Sequence, residues 1–261
     1  MENRFEGKVV LITGAGSGLG QASALRIARE GAHLSLVDVS GLALEVTRKM
    51  IAETAPGADV LLITADVSDE LAVQAYVRQT VDRFGRIDGF YNNAGIEGKQ
   101  NLTADYGSDE FRKVTGINLD GVFYGMKYVI AVMMRQGGGA IVNAASVGGI
   151  RGVGNQSGYA ASKHGVVGLT RNSAVEYGEH GIRINAIAPG AILTPMVEKS
   201  LRQIAGDNWE QAGLEFVNVN AMKRLGRPEE VAGVVAFLLS DDSSFINAAV
   251  VPIDGGQSYK Y

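Results

Sequence analysis

Short runs of consecutive apolar residues alternate with longer amphipathic stretches along almost the whole chain. Seven of these runs are rich in β-branched residues, and continuous apolar runs are typical of strands that are covered on both faces. The stretches between them have helical periodicity, and such alternation predicts a parallel sheet with right-handed crossovers. The predicted strands are 9–13, 34–38, 60–64, 89–92, 140–144, 182–188 and 250–253, and the predicted helices are 19–30, 43–54, 69–84, 109–135, 157–178 and 228–240.

This pattern predicts one α/β domain over residues 1–261. It would be a doubly wound, Rossmann-type domain with a seven-stranded parallel sheet flanked by helices on both faces. There is no internal repeat, low-complexity tract or linker long enough to divide the chain. The interval 190–227 interrupts the alternation, and we interpret it as a lid over a substrate pocket, since long loops in compact domains usually carry function. An ordinary surface insertion is the alternative.

Glycine is over-represented, with 35 glycines but only five prolines in 261 residues. A hydrophobic content of 46% without a three-residue glycine period excludes both collagen and a disordered chain. The formal net charge is −4, and no long basic run is available to meet a phosphate backbone. Nucleic acid is therefore not an expected partner.

The reactive side chains also limit the kinds of site that the chain can form. The chain has no cysteine, and its three histidines are scattered, so we expect neither disulfides, nor thiolate chemistry, nor a metal centre. The N-terminal segment has no small-residue cleavage site after its short apolar run, so it does not resemble a signal peptide. No apolar segment approaches the roughly 18 residues that a membrane span needs. These features predict a cytoplasmic protein that does not contact a membrane.

A glycine-rich loop, TGAGSGLG at residues 13–20, follows the first predicted strand and precedes a helix. Glycines let the backbone turn with positive φ and approach a pyrophosphate, and the helix N-terminus adds free N–H groups and a positive dipole end. A tight strand-to-helix turn is the alternative, but the position after the first strand favours dinucleotide binding. The predicted phosphate contacts are Gly14, Ser17, Gly18 and Leu19.

Asp38 ends the second predicted strand, where a carboxylate can accept both adenosine ribose hydroxyls and would repel a 2′-phosphate. Ser17 and Val39 supply no cation to neutralise such a phosphate, so NAD(H) is favoured over NADP(H). Asp38 as a helix N-cap is a compatible alternative. Two further candidates, at the adenine edge, are Asp66 and Val67.

Tyr159 and Lys163 are four residues apart in a predicted helix and therefore project from one face. An adjacent ammonium would stabilise the Tyr159 phenolate and lower its pKa from about 10, making the phenol an acid–base catalyst. Ser146, at the end of the fifth strand, is placed to hydrogen-bond a carbonyl oxygen that gains negative charge. Each residue alone has a trivial interpretation, as a surface neighbour or a turn cap, so the hypothesis depends on their combination.

Together these segments resemble the short-chain dehydrogenase/reductase family over essentially the whole chain. The motifs are TGxxxGxG at 13–20, NNAG at 92–95, Ser146 with Tyr159-x-x-x-Lys163, and Pro189-Gly190. The resemblance implies that Asn118 is a fourth catalytic residue, holding a water through its backbone so that protons pass by way of Lys163, and that Lys163 also binds the nicotinamide ribose. It further implies cofactor contacts from Asn93, Ala94, Gly95, Tyr159, Pro189, Gly190, Ile192 and Thr194.

The implied function is an NAD(H)-dependent oxidoreductase that interconverts a ketone and a secondary alcohol. Apolar side chains in the predicted lid (Trp209, Phe216, Met222) and the glycines after Ser146 (Gly148, Gly149, Gly152, Gly154) favour a compact cyclic or aryl ketone or diketone. Glu97 and Lys99 could add polar contacts or could simply be solvated. The alternatives are a sugar or diol dehydrogenase, a 3-oxoacyl-carrier-protein reductase, and, from another class, a non-catalytic dinucleotide sensor.

The predicted helices 109–135 and 157–178 carry more apolar residues than one buried face requires. Family members that resemble this chain pair these helices in dimers and often form tetramers. We therefore expect a homotetramer, with residues 257–261 contributing to a second interface.

Overall fold

The computed structural model describes residues 3–259, apart from the side chains of Leu214 and Phe216. Its strands are β1 (Val9–Thr13), β2 (His33–Asp38), β3 (Val60–Thr64), β4 (Gly89–Asn92), β5 (Gly139–Ala144), β6 (Ile182–Pro189) and β7 (Val250–Ile253). They form one parallel sheet in the order β3-β2-β1-β4-β5-β6-β7. The predicted seven-stranded sheet is confirmed.

Helices cover both faces of this sheet, as predicted. They are α1 (Gly18–Arg29), α2 (Gly41–Thr54), α3 (Glu70–Phe84), α4 (Ser108–Thr115), α5 (Gly121–Gln136), α6 (Ser157–Tyr177), α7 (Pro195–Ala205), α8 (Trp209–Phe216) and α9 (Pro228–Leu239). Within the described part of the chain, no helix is long and apolar enough to cross a bilayer.

The hydrophobic core lies on both faces of the sheet because successive strand residues point in opposite directions. In β1, Val10 and Ile12 point to one face of the sheet. There they belong to a hydrophobic layer with residues of α1, α2 and α9, including Ile27 of α1. Leu11 belongs to the opposite layer, which includes Met126 of α5. All five side chains are buried, and each contributes about 1.5–3 kcal/mol of hydrophobic stabilisation. This burial explains why the strands are continuously apolar.

Strand order determines where a ligand can bind. From β1 the chain proceeds outward through β2 and β3, and then returns to the other side of β1 as β4. The helices that follow β1 and β4 therefore lie on opposite faces, which leaves a crevice at the carboxyl ends of these two strands. The glycine-rich loop follows β1 and the NNAG segment follows β4, so both motifs meet at this crevice.

Two predicted segments differ from the structure. The single helix expected over 109–135 is divided into α4, a π-helical turn (Gly116–Asp120) and α5. The interval 190–227, interpreted as a loop, contains α7 and α8. Helix α7 begins with a common start signal: Pro195 occupies its first turn, and Thr194 Oγ accepts a hydrogen bond from the Val197 amide at 3.3 Å.

Candidate active site

A cleft of about 400 Å³ lies at the carboxyl ends of the central strands. Ser146 and every residue predicted to contact the cofactor line it, from Gly14 in the phosphate loop to Thr194 before α7. The sequence did not predict nine other residues of the lining. Most of them directly follow a strand or begin α7, and their position at the end of a strand or the start of a helix is the signal that could have identified them. These are Val39, Ala65, Ile96, Ile117, Ala144, Ala145, Pro195, Met196 and Val197.

The phosphate loop at one end of the cleft needs its glycines for close packing. A Cβ added to Gly20 would lie 2.1 Å from the Gly14 carbonyl oxygen, so no other residue fits there without a backbone shift. Ser17 is the N-cap of α1 but makes no side-chain capping hydrogen bond, which leaves the first N–H groups of the helix available. A helix N-terminus with free N–H groups fits an anionic diphosphate.

Asp38 connects the phosphate loop to the end of β2. Its Oδ2 accepts a hydrogen bond from the Gly16 amide at 2.9 Å, and its Oδ1 accepts one from the Ser40 amide at 3.0 Å. The N-cap of α2 is Ser40, whose hydroxyl accepts from the Ala43 amide at 3.2 Å, so the N-cap alternative for Asp38 is wrong. The carboxylate is thus positioned by backbone donors at the edge of the cleft, where it fits a ribose diol.

The NNAG segment forms the adjacent wall and is attached to the end of β1. Thr13 Oγ accepts hydrogen bonds from the amides of Asn93 and Ala94 at 3.0 and 3.1 Å. The Asn93 side chain returns two bonds through Nδ2, to the carbonyls of Thr13 at 3.0 Å and Gly14 at 3.2 Å. These four bonds hold the two halves of the crevice at a constant separation.

Ser146, Tyr159 and Lys163 meet at the other end of the cleft. Ser146 follows β5 and its hydroxyl accepts a hydrogen bond from the Gly148 amide at 3.1 Å. Tyr159 and Lys163 are one turn apart on α6, with Lys163 Nζ 5.6 Å from the centre of the Tyr159 ring. Gly149 packs closely against α6, since an added Cβ would lie 2.6 Å from the Lys163 carbonyl oxygen.

The protonation of this pair differs from the sequence expectation. Burial raises the pKa of Tyr159, and this outweighs the opposing effect of its hydrogen bond with Ser146. Burial also lowers the pKa of Lys163 to about 8. Lys163 was expected to lower the phenol pKa, but its Nζ donates to the Ala144 carbonyl at 2.7 Å. At neutral pH Tyr159 is therefore a phenol, the form that can donate a proton.

Asn118 lies behind the cleft rather than in its lining. The π-helical turn holds its side chain fully buried, where Oδ1 accepts from the Ile96 amide and Nδ2 donates to the Ile96 carbonyl, both at 2.8 Å. Nδ2 also lies 3.2 Å from Ser162 Oγ on α6. Asn118 thus ties the loop after β4 to the catalytic helix, and a proton-relay role for it stays a prediction.

Two of the predicted lid side chains lie outside the lining of this cleft. Trp209 lines a separate cavity between α7 and α8, and Met222 lines another beside β7, so a substrate contact from either residue stays a prediction. The Phe216 side chain lies outside the described residues. Met196 and Val197, in the first turn of α7, border the cleft instead.

Glu97 is the most unusual acidic residue near the cleft. Its Oε1 accepts hydrogen bonds from Ser200 Oγ at 2.8 Å, from Gln100 Nε2 at 3.2 Å and from Gln156 Nε2. Burial raises the pKa of Glu97, against the lowering effects of Ser200 and Gln100. Glu97 is therefore held by protein side chains rather than solvated, whereas Lys99 is exposed, and a contact of either residue with substrate stays a prediction.

A family model described as enoyl-(acyl carrier protein) reductase matches residues 14–258. The curated levodione reductase of Leifsonia aquatica is 65% identical over 258 residues, which is 99% of this chain and 97% of that protein. A crystal structure of levodione reductase, 65% identical, superimposes with a TM-score of 0.97 and covers 98% of this chain and 100% of that one.

A second solved structure, of NAD⁺-bound xylitol dehydrogenase, is 38% identical and has a TM-score of 0.92. The alignment covers 97% of this chain and 99% of that one. Both alignments therefore extend over nearly the whole chain.

Proposed function

The chain belongs to the short-chain dehydrogenase/reductase family, and from that premise we propose that Ser146, Tyr159 and Lys163 carry out its reaction on a compact cyclic ketone or the corresponding secondary alcohol. The protein is an NAD-dependent oxidoreductase that acts on CH–OH and C=O groups. The observation that supports the catalytic assignment best is the convergence of a half-buried phenol, a buried ammonium and a serine hydroxyl in one cleft.

The residues present fit NAD. When bound, this cofactor supplies a hydride to a carbonyl carbon or accepts one from an alcohol carbon. The free N–H groups at the start of α1 suit its diphosphate, and the Asp38 carboxylate suits an unphosphorylated ribose. Asp66 and Val67 would border the adenine, and Asn93, Ala94, Gly95, Pro189, Gly190, Ile192 and Thr194 would enclose the nicotinamide end.

In the direction of reduction, Tyr159 donates its hydroxyl proton to the ketone oxygen, which becomes the alcohol oxygen. Ser146 hydrogen-bonds the same oxygen and stabilises its developing negative charge. The Lys163 ammonium stabilises the phenolate that remains and then returns a proton to it. Lys163 takes its replacement proton from the side of Asn118. In the direction of oxidation, the Tyr159 phenolate removes the alcohol proton.

The proposed substrate class is a compact ring ketone. Apolar side chains of Ile96, Met196 and Val197 border the cleft, and a levodione reductase is among the similar proteins. A sugar-alcohol substrate has support from the similarity to a xylitol dehydrogenase. A carrier-protein reductase is disfavoured because Asp38 would repel NADPH, and a non-catalytic sensor has no need of the Ser146, Tyr159 and Lys163 constellation.

We also propose that the protein is a cytoplasmic homotetramer. Partly exposed apolar residues on α4 and α5, such as Phe111 and Phe123, give those helices a surface that a second copy could cover. Light scattering coupled to size-exclusion chromatography would test this, and a stable monomer would contradict it.

Steady-state rates on a substrate panel, each measured with NADH and with NADPH, test the proposed function. The panel contains cyclohexanone, a cyclohexanedione, an aryl ketone, a ketose and a 3-oxoacyl thioester. We expect the highest kcat/KM for a cyclic ketone with NADH. A higher value for the ketose or the thioester would overturn the proposed substrate class.

A further inference from the structure

The turn after β7 packs directly against the segment that we expect to enclose the nicotinamide. Gly255 and Gly256 adopt positive φ angles of 60° and 83°, which turn the backbone back towards the end of β6. A Cβ added to Gly190 would lie 2.5 Å from Gln257 Oε1 and 2.7 Å from the Cβ of Asp254. Only a glycine fits at position 190, and the two segments are therefore in contact there.

Backbone hydrogen bonds fix most of residues 190–193. The Gly190 amide donates to the last residue of β7 at 3.0 Å, and two further backbone bonds join the segment to Gly226. The Ala191 amide instead donates to the side chain of Gln257, with a distance of 3.2 Å to Oε1. Among the hydrogen bonds that the structure describes for residues 190–193, this is the one made by a side chain. It is therefore the one that a substitution can remove.

Gln257 supports this segment from behind the cleft. Pro189, Gly190 and Ile192 line the cleft, whereas Ala191 borders the separate cavity beside β7. Gln257 is not part of the described cleft lining either, so its side chain leaves the space for a ligand free. Residues 189–192 thus present one side to the cleft and are held on the other side by Gln257.

The Asp254 carboxylate holds the turn that presents Gln257. Its Oδ1 accepts a hydrogen bond from the Gly256 amide at 2.9 Å, and its Oδ2 accepts from the Ser258 amide at 2.7 Å and from the Ser258 hydroxyl. Burial raises the pKa of Asp254, but the hydrogen bonds from Ser258 and the neighbouring amides together bring it below its ordinary value. The carboxylate is therefore ionised at neutral pH and fixes the position of Gln257.

The backbone of Gln257 also contacts the turn that carries Ser146. Its carbonyl accepts a hydrogen bond from Arg151 Nη1 at 2.6 Å. Arg151 ends the turn that follows Ser146, since its amide donates to the Val147 carbonyl at 3.0 Å. One residue near the C-terminus therefore joins residues 190–193 to the catalytic serine turn.

We propose that Gln257 is a positioning residue for the nicotinamide ring, which it holds in place through Ala191 and the neighbouring residues that line the cleft. This role rests on the proposed function, in which the ring lies against Gly190 and Ile192. Without the Gln257 acceptor, the Ala191 amide loses its partner and residues 190–193 can shift. The ring should then bind less tightly, whereas the phosphate loop and Asp38 at the other end of the cleft are untouched.

Two ligands that differ only in the nicotinamide ring test this role. ADP-ribose has the adenosine, diphosphate and second ribose of NADH but lacks the ring. Calorimetry with the full-length enzyme gives a Kd for each ligand, and the Kd of ADP-ribose divided by that of NADH measures the contribution of the ring. We expect this ratio to be well above one in the wild type.

Three variants identify the group responsible. Gln257→Met keeps the length of the side chain but removes the acceptor, so the Kd of NADH should rise by about threefold to tenfold, as for one lost hydrogen bond. The Kd of ADP-ribose should not change. Gln257→Glu keeps an acceptor oxygen and should bind NADH as the wild type does. Gln79→Met, the same substitution on the exposed face of α3, is the control and should leave both Kd values unchanged.

The contact with the serine turn has its own variant. Arg151→Met removes the donor to the Gln257 carbonyl, so the Kd of NADH should rise by about threefold while that of ADP-ribose stays the same. An unchanged Kd for NADH would refute the contribution of Arg151.

Hydrogen–deuterium exchange in the enzyme without cofactor examines the Ala191 contact itself. The peptide that contains Ala191 should exchange faster in Gln257→Met than in the wild type, because its amide has lost an acceptor. In Gln257→Glu it should exchange at the wild-type rate. Equal exchange in all three proteins would overturn the proposed contact.

The binding results separate positioning from support of the fold. A parallel rise of both Kd values in Gln257→Met would show that Gln257 merely supports the fold, and an equal loss of NADH affinity in Gln257→Glu would show that the acceptor is not what matters. Either result overturns the proposal, as does a wild-type ratio near one. Since no measurement uses a ketone, an enzyme that gives the expected Kd values but reduces no cyclic ketone would contradict the proposed reaction and leave the role of Gln257 intact.

Discussion

Backbone groups form one end of the cleft, and side chains form the other. At the cofactor end, backbone groups make the contacts: the Gly16 amide bonds Asp38, and Gly20 packs against the Gly14 carbonyl. At the substrate end, side chains of α6 and α7 line the space, and residues of α7 such as Ile204 remain exposed. A backbone site tolerates little variation, whereas a side-chain site can change its ligand by substitution. We therefore expect the first end to determine the cofactor and the second the substrate.

The largest expected effect tests whether the two ends act separately. Tyr159→Phe removes the proton donor at the substrate end, so kcat for ketone reduction should fall by about 10²–10⁴-fold. The Kd for NADH, measured by fluorescence titration, should change little, because the phosphate loop and Asp38 are untouched. Turnover close to that of the wild type would contradict the assignment of Tyr159.

The next largest effect concerns the cofactor end alone. Replacing Asp38 with Ala and the exposed Val39 with Arg removes the repulsion of a 2′-phosphate and adds a cation. The ratio of kcat/KM for NADPH to that for NADH should rise by about a hundredfold, equivalent to one or two charge-assisted hydrogen bonds. The KM for the ketone should stay near its wild-type value. Unchanged NADH selectivity would refute the role given to Asp38.

The pH dependence of the reaction rates tests Lys163, the residue that we expect to contact both the cofactor and the catalytic phenol. Its pKa of about 8 means that the ammonium is present below pH 8 and is lost as the pH rises above it. Because kcat/KM reports the free enzyme, kcat/KM for NADH should be level below pH 8 and fall about tenfold per pH unit above it. The rate of alcohol oxidation should instead rise with pH, since burial raises the pKa of Tyr159 and its phenolate forms only at high pH. A reduction profile that stays level to pH 10 would contradict the pKa of Lys163.

The smallest effects compare the stability of the two ends. Gly20→Ala places a methyl group against the backbone, so it should lower the free energy of unfolding by about 1–3 kcal/mol. Ile204→Ala, on the exposed face of α7, should change it by less than about 0.5 kcal/mol. Urea denaturation followed by circular dichroism measures both values. Equal losses would show that the two ends are equally constrained.

The sheet and the cofactor end were predictable from the sequence, since strands buried on both faces leave an uninterrupted apolar signal. The predicted bounds of β1, β3, β4 and β7 agree with the structure, and the other strands differ by one residue at one end. The residues that line the cofactor end were predictable because glycine and a carboxylate at the ends of parallel strands carry a specific chemistry.

The substrate end was less predictable, because its geometry arises from contacts between distant segments. Glu97, Gln156 and Ser200 meet although more than forty residues separate each from the next, and no local pattern indicates such a meeting. The π-helical turn that holds Asn118 is invisible in a continuous helical pattern. Burial raises the pKa of Tyr159 against the lowering effect of its hydrogen bond with Ser146, whereas the sequence alone suggested that the neighbouring ammonium lowers this pKa.

The most direct test of the account is a single-turnover stopped-flow measurement in which the enzyme with bound NADH is mixed with a cyclic diketone. We expect the NADH absorbance to decay in one phase whose rate depends on the diketone concentration, and to persist in the Tyr159→Phe variant. Binding of both ligands without any loss of absorbance in the wild-type enzyme would contradict the account and favour a dinucleotide sensor.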